Sequence, residues 1–231
     1  MAIYNIFPLT VYKTKVEINE NDKNKLIKLI QEMKNNSENL SYKNESSSWT
    51  GDTQGFENLH NNINFKKLYE EINKKILEYL DIFNIDHNQV DIYIQRSWAT
   101  ISSGKESINR HRHMQSHLSF AYYLKKYKED SKIIFYDEHK HNEFIPDIFG
   151  SSSVTKKGII KKINIHNSDH VIFDVEENDI VIFPSKAMHG TQQNIENHER
   201  ISISADITLL AKDAKLLEHL IPPMKNWKKI N

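Results

Sequence analysis

Residues 177–207 read ENDIVIFPSKAMHGTQQNIENHERISISADI. An apolar run ends at Pro184-Ser185, His189 follows a short turn, and a polar loop leads to Arg200, which opens an alternating run. Alternation over four to eight positions marks a strand with one buried face. Residues i, i+2 and i+4 of a strand share a face, so Arg200, Ser202 and Ser204 point together and away from Ile201 and Ile203. The segment therefore reads as strand, turn, histidine, loop, strand.

Upstream, INRHRHMQSHLSFAYYL at 108–124 puts His111, His113 and His117 within seven positions, just ahead of another strand-like run. Histidine is the commonest metal ligand and the commonest acid/base, so the cluster suggests chemistry. The chain has 12 histidines, which leaves coincidence open until a distant segment completes a site. Further short strand-like runs are VDIYIQRSWATIS, SKIIFYDE, KKINIHN, HVIFDVE and NDIVIFPS. Ahead of them lie a strand-like NIFPLTVYKTKVEI and two amphipathic helices. One helix stripes Leu26, Ile27, Leu29, Ile30 and Met33; the other stripes Phe65, Leu68, Ile72, Ile76 and Leu80. Two helices followed by about seven strands predict an α+β protein built on a sandwich or jelly roll. Residues 35–55 and 137–158 read as long loops, and Gly104, Gly150, Gly158 and Gly190 as turn positions. Trp49, inside the first loop, is either a plug against the core or a substrate-contacting lid.

Composition narrows the chemistry. The chain has 231 residues with 38% hydrophobic content, enough for a packed core and for one domain. Lys+Arg and Asp+Glu are both 31, so nothing predicts nucleic-acid binding through bulk charge. With no cysteine, disulfides, thiolate metal sites and a cysteine nucleophile are excluded. Any metal falls to histidine, carboxylate, other oxygen groups or water, which favours zinc, iron, manganese or copper over iron–sulfur. The N-terminus lacks a basic, unbroken-apolar leader and no run reaches 18 apolar residues, so a cytoplasmic protein without a membrane span is expected.

Read together, HRH…SHLSFAYYL, IIFYDE, NDIVIFPS…H and RISIS resemble the 2-oxoglutarate/Fe(II)-dependent oxygenases. More narrowly they are similar to a bacterial and phage family of that superfamily, prolyl-hydroxylase-like. IFPLTVY and Trp49 are weak matches, and a helix and SWATISSG also match in order. The resemblance implies a double-stranded β-helix, or jelly roll, with the N-terminal helices packed on one sheet. Residues 1–90 would be support, 91–212 the catalytic core and 213–231 a tail within a single domain. It implies Fe(II), 2-oxoglutarate as cosubstrate and O2, with hydroxylation of an unactivated C–H as the default outcome and succinate as coproduct. His189 maps to the distal iron ligand. Arg200 maps to the basic residue that clamps the far carboxylate of 2-oxoglutarate, for which a guanidinium offers a bidentate fork. Ser202, Ser204 and Tyr123, the last preferred over Tyr122, are candidate hydroxyl donors to that carboxylate.

The departure is at the carboxylate ligand. Where the superfamily has His-x-Asp/Glu, this chain has His111-Arg112-His113. Three arrangements stay open: His111 and His113 both ligate with His189; one of them ligates beside Asp137 or Glu138; or two protein ligands are completed by water. A three-histidine set is less anionic and should hold Fe(II) less tightly. His117 and Trp49 are candidate substrate contacts, and His139/His141 form a competing His-x-His pair. The expected partner is a small molecule or an amino-acid or peptide substrate, with no nucleic acid and no membrane; a homodimer is compatible with the sequence. Competing functions are a non-catalytic cupin-like metal- or ligand-binding module and a three-His dioxygenase that does not use 2-oxoglutarate. Neither needs an arginine at the position of Arg200.

Overall fold

The computed structural model describes residues 2–37, 47–150, 152–195 and 197–230. Of the loop expected at 35–55, residues 38–46 lie outside the described residues. The elements are β1 (Tyr12–Lys15), α1 (Glu20–Asn35), β2 (Trp49–Thr50), α2 (Lys66–Ile82), β3 (Val90–Ser102) and β4 (Leu118–Lys125). They continue with β5 (Ile133–Tyr136), α3 (Ser152–Lys156), β6 (His170–Phe173), β7 (Asp179–Pro184), β8 (His189–Thr191) and β9 (Arg200–Ala211). Six strands form one sheet in the order β1-β7-β4-β9-β3-β2, and three form a second in the order β6-β5-β8. Every strand pair is antiparallel.

The two long helices form where the sequence pattern demands. The Asn19 side chain accepts from the Asp22 N–H at 2.9 Å and caps α1, a contact typically worth about 1 kcal/mol. Glu20 and Asp22 sit in its first turn, where carboxylates suit the helix dipole. Leu26 and Ile30 of α1 and Leu68, Ile72, Ile76 and Leu80 of α2 are buried. They share one core cluster with Phe120 and Tyr122 of β4, Ile180 and Ile182 of β7, and Ile201, Ile203 and Ile207 of β9. The opposite face of β4 and β7 presents Tyr123, Val181 and Phe183 to Ile133 and Phe135 of β5. Alternation thus splits the central strands between two destinations: helices on one side, the smaller sheet on the other.

The structure departs from the sequence reading in several places, and α3 and β2 lie within the segments expected as loops at 137–158 and 35–55. KKINIHN, expected as a strand, pairs with no strand among the described residues and is irregular at 161–167; an alternating pattern needs a neighbouring edge to become sheet. Only Tyr12–Lys15 of the first expected strand pairs. The short β8 at His189–Thr191 went unread because three residues carry no period. Gly190 is within this strand, not at a turn: a Cβ there would lie 3.0 Å from the Ile108 carbonyl oxygen and 3.3 Å from the Arg110 Cα. Trp49 resolves its own ambiguity. It is 3% exposed within the helix-side core, its indole N–H donating to Ser37 Oγ at 3.0 Å. The tail touches the sheet through Ile221, whose carbonyl accepts from the Ala211 N–H at 2.9 Å, while Trp227 is exposed. Among the described residues no helix is long and apolar enough to cross a membrane.

Candidate functional site

Backbone hydrogen bonds bring the histidines together. His111 and His189 face each other in an antiparallel bridge, His111 N–H donating to the His189 carbonyl at 2.8 Å and His189 N–H returning at 2.9 Å. His113 N–H donates to the Ser185 carbonyl at 2.9 Å. The close approach of Gly190 to Ile108 and Arg110 lets this pairing form. As a result the candidate ligand atoms of His111, His113 and His189 all lie within 4.8 Å of one another.

Each ring is oriented from behind. His111 Nδ1 lies 2.8 Å from the Asn109 carbonyl and His189 Nδ1 lies 2.8 Å from the Ala187 carbonyl. His113 Nδ1 lies 2.5 Å from Asp206 Oδ1. An acceptor at each Nδ1 requires a donor there, so each Nε2 carries a lone pair in the neutral ring. His111 Nε2 and His113 Nε2 are 3.0 Å apart. Two lone pairs at that distance repel unless a cation or proton sits between them. The separation matches two nitrogens at right angles around one first-row ion, with bonds of about 2.0–2.1 Å. Burial, and then the neighbouring His111, push the His189 imidazole down to about 3. Burial likewise lowers His111, against its Asn109 hydrogen bond, with His113 adding to the fall. Both rings therefore stay neutral at pH 7, the state in which imidazole ligates.

Asp206 anchors the rear of the cluster. It is fully buried and accepts from five side chains: His113; Arg96 Nε at 2.5 Å; Gln115 Nε2 at 2.9 Å; Ser116 Oγ at 3.2 Å; and Ser119 Oγ at 3.3 Å. Burial works to raise this carboxyl, but His113 and Arg96 hold it down to about 2. Trp98 stacks on His113 with ring centroids 5.8 Å apart, and the Arg96 guanidinium covers Trp98 at 4.8 Å. Asp206 shares the alternating face of Arg200, Ser202 and Ser204, a signal that extends to 206. Arg96, Trp98 and Gln115 carried no signal of their own.

The histidines open into a cavity of about 220 Å3 that is also lined by Tyr123, Arg200, Ser202 and Ser204. Arg200 is 1% exposed. Its guanidinium donates to the Ser131 carbonyl at 3.1 Å, Ser131 Oγ at 2.8 Å and Ser102 Oγ at 3.1 Å. Its Nε has no partner, and among the described residues no carboxylate lies within ion-pair distance. Burial lowers the Arg200 guanidinium, opposed by Tyr123 and Asp130. Burial also pushes the Tyr123 phenol up to about 12, so it remains a neutral hydroxyl. Tyr122 is on the other face, its hydroxyl donating to Asn178 Oδ1 at 3.1 Å. Ser102 and Ser131, which hold Arg200, were missed because nothing local marks a serine that supports a residue 98 or 69 positions away.

Other candidates lie elsewhere. Asp137 Oδ1 accepts from the backbone N–H groups of His139 and Lys140, and Glu138 pairs with Arg112 at 3.0 Å. Neither joins the histidine cluster. His139 and His141 stack on each other in exposed chain, with centroids 5.2 Å apart. His117 and Trp49, expected as substrate contacts, do not line the cavity. His117 is exposed and its Nδ1 accepts from the Leu209 N–H at 3.1 Å, a position set by its own backbone pairing with Ile207 and Ser185. Trp49 is taken up by the core.

Fold and site together define a class: an antiparallel β protein in which a candidate three-histidine metal centre and a buried, unpaired arginine share one cavity. Residues 96–206 match a family model described as "Putative 2OG-Fe(II) oxygenase". That segment holds all three histidines and Arg200. Solved structures of similar fold include the non-heme alpha ketoglutarate dependent epimerase SnoN from nogalamycin biosynthesis, with TM-score 0.56 and 11% identity, covering 96% of this chain and 89% of that one. The carbocyclase SnoK from the same biosynthesis has TM-score 0.55 and 11% identity, covering 93% and 87%. HygX from Streptomyces hygroscopicus, solved with nickel and 2-oxoglutarate bound, has TM-score 0.52 and 9% identity, covering 93% and 92%. Among curated proteins none matches the sequence. The chain thus resembles the 2-oxoglutarate/Fe(II)-dependent oxygenases in sequence over 96–206 and in fold over most of its length.

Proposed function

We propose that this protein is an Fe(II)- and 2-oxoglutarate-dependent oxygenase that hydroxylates an unactivated C–H of a small molecule or an amino-acid or peptide side chain. The core at 91–212 is read as a double-stranded β-helix, with 1–90 as helical support, 213–231 as tail, and the cytoplasm as setting. His111, His113 and His189 would hold the metal. Arg200, with Tyr123, Ser202 and Ser204, would hold the far carboxylate of 2-oxoglutarate.

The observation that carries this reading is Arg200. A buried guanidinium without an anion is expensive; breaking a buried ion pair costs about 3–5 kcal/mol because a charge is left uncompensated. Here the charge is built in, three of its hydrogen bonds are neutral, and Nε is left without a partner in a cavity that also holds the histidines. A dicarboxylate spanning metal and arginine would satisfy both ends. When bound, Fe(II), 2-oxoglutarate and O2 supply the oxidising chemistry, giving succinate, CO2 and hydroxylated product. The chain's own contribution is placement. The backbone bridge between His111 and His189 sets ring positions, the Nδ1 partners set ring orientation, and Arg200 sets the cosubstrate's direction. Phe183 and Ile133 form an apolar wall of the same cavity and exclude water. A cupin-like binder, or a three-His dioxygenase without the keto acid, leaves the Arg200 charge unexplained.

Anaerobic titration with Fe(II) and then 2-oxoglutarate tests the reading. A metal-to-ligand charge-transfer band that appears only when both are present is expected. Its absence, with Fe(II) bound and the protein folded, would end the proposal.

A further inference from the structure

His111 and His189 are oriented by neutral backbone carbonyls, whereas His113 is oriented by a carboxylate. His113 is the ring at the position where the resemblance leads one to expect a carboxylate ligand. We propose that Asp206 is the anionic partner of the metal centre, a positioning residue that acts through His113. It would hold His113 with Nε2 toward the metal and lend a neutral three-histidine set part of the charge that the ligands lack. The inference rests on the metal-binding reading above.

Three observations carry it. Asp206 Oδ1 faces His113 Nδ1 at 2.5 Å, and Trp98 stacks on the ring at a centroid distance of 5.8 Å. Both oxygens of Asp206 are fixed: Ser116 and Ser119 donate to Oδ1, and Arg96 and Gln115 donate to Oδ2. Such saturation leaves the carboxylate one orientation. The charge is also not cancelled by Arg96, because Arg96 is shared. Its NH1 lies 3.4 Å from Asp52 Oδ2, at the edge of the same cavity. One guanidinium thus faces two carboxylates at this edge of the cavity. A carboxylate on the outer nitrogen of a ligating imidazole fixes its tautomer and raises its basicity.

Cobalt(II) binding, read by its visible absorption, tests this without turnover. Asp206→Asn keeps the shape and an acceptor oxygen but removes the charge. A folded Asp206→Asn should bind cobalt about 10–100-fold more weakly than wild type, the usual cost of losing an outer partner. Wild-type affinity in folded Asp206→Asn overturns the inference. If that variant does not fold, the wild-type protein decides. Loaded with Zn(II) and labelled with 15N-histidine, it should show His113 protonated at Nδ1, with a proton shifted further downfield than those of His111 and His189. A His113 proton at Nε2, or no such shift, overturns the inference equally. His113→Ala separates the two levels. Cobalt affinity unchanged in His113→Ala would refute the ligand reading itself and this inference with it. Affinity lost in His113→Ala but kept in Asp206→Asn refutes the role of Asp206 alone.

Discussion

The two faces of β9 make a direct comparison, because one strand supplies both. Toward the helices it sends Ile201, Ile203, Ala205 and Ile207, each 0% exposed in the larger core cluster. Toward the cavity it sends Arg200, Ser202, Ser204 and Asp206. The apolar face is satisfied by its neighbours: its side chains are closely packed and need nothing further. The polar face has an unpartnered Arg200 Nε at one end and, at the other, Asp206 with five hydrogen bonds. One face holds the fold, and the other carries the residues of the candidate site.

The largest expected effect comes from the Arg200 end. Under the proposed reading, Arg200→Ala would remove the charge-assisted pair with the far carboxylate of 2-oxoglutarate, a truncation that costs on the order of 2–5 kcal/mol when buried. At 1.4 kcal/mol per decade this is roughly a thirty-fold to several-thousand-fold loss of 2-oxoglutarate affinity. The variant's thermal midpoint should not fall in proportion, since it sheds a buried charge with no ion-pair partner. Unchanged 2-oxoglutarate-dependent succinate formation would remove Arg200 from the site.

On the apolar face the effect is of similar size but of the opposite kind. Ile203→Ala should lower unfolding free energy by about 2–5 kcal/mol in urea titrations, through lost burial plus a cavity. The keto-acid affinity of the folded protein should be unchanged. A variant that keeps its stability but loses keto acid would break the division of labour between the two faces.

The histidine cluster gives the next test. His113→Ala should weaken Fe(II) binding by more than the roughly 10–100-fold that loss of an outer partner costs. His113→Asp puts a carboxylate at the position expected from the resemblance and should bind better than Ala. Equal affinities for wild type, His113→Ala and His113→Asp would show that His113 is not a ligand.

The last test is the pH dependence of the metal-free protein. The His189 pKa is about 3 when folded, below the unperturbed value of about 6.5. Between these values the unfolded chain takes up a proton that the folded one refuses. Stability from this group is therefore intact above about pH 6.5 and declines as pH falls toward 3, by up to about 1.4 kcal/mol per pH unit. Filling the site with Zn(II) should steepen the acid sensitivity of binding, because protons compete for the same nitrogens. A flat urea midpoint between pH 6.5 and 4.5 would show that His189 is not held neutral by burial.

Local pattern accounts for much of the fold. The two stripes of Leu and Ile predicted the helices and their buried faces. Period-two alternation placed most strands and put Arg200, Ser202 and Ser204 on one side. The pattern failed at KKINIHN, where alternation found no edge to pair with, and at His189–Thr191, too short to show a period. The residues of the candidate site divide the same way. His111 and His113 stand out through their spacing, and His189 and Arg200 through their place after IFPS and before ISIS.

What the sequence determined by itself is the inventory: no thiols, balanced charge, histidines at ligand spacing, and a strand with a polar and an apolar face. Each of these is a property of composition or of neighbours along the chain. Tertiary structure alone decided that His111 meets His189 across a backbone bridge, and that Asp206 lies behind His113, 93 positions away. It also decided that Arg200 is held by two serines and, among the described residues, by no acid. These depend on which strands pair and in what register, and a shift of one residue would turn every side chain of β9 to the other face.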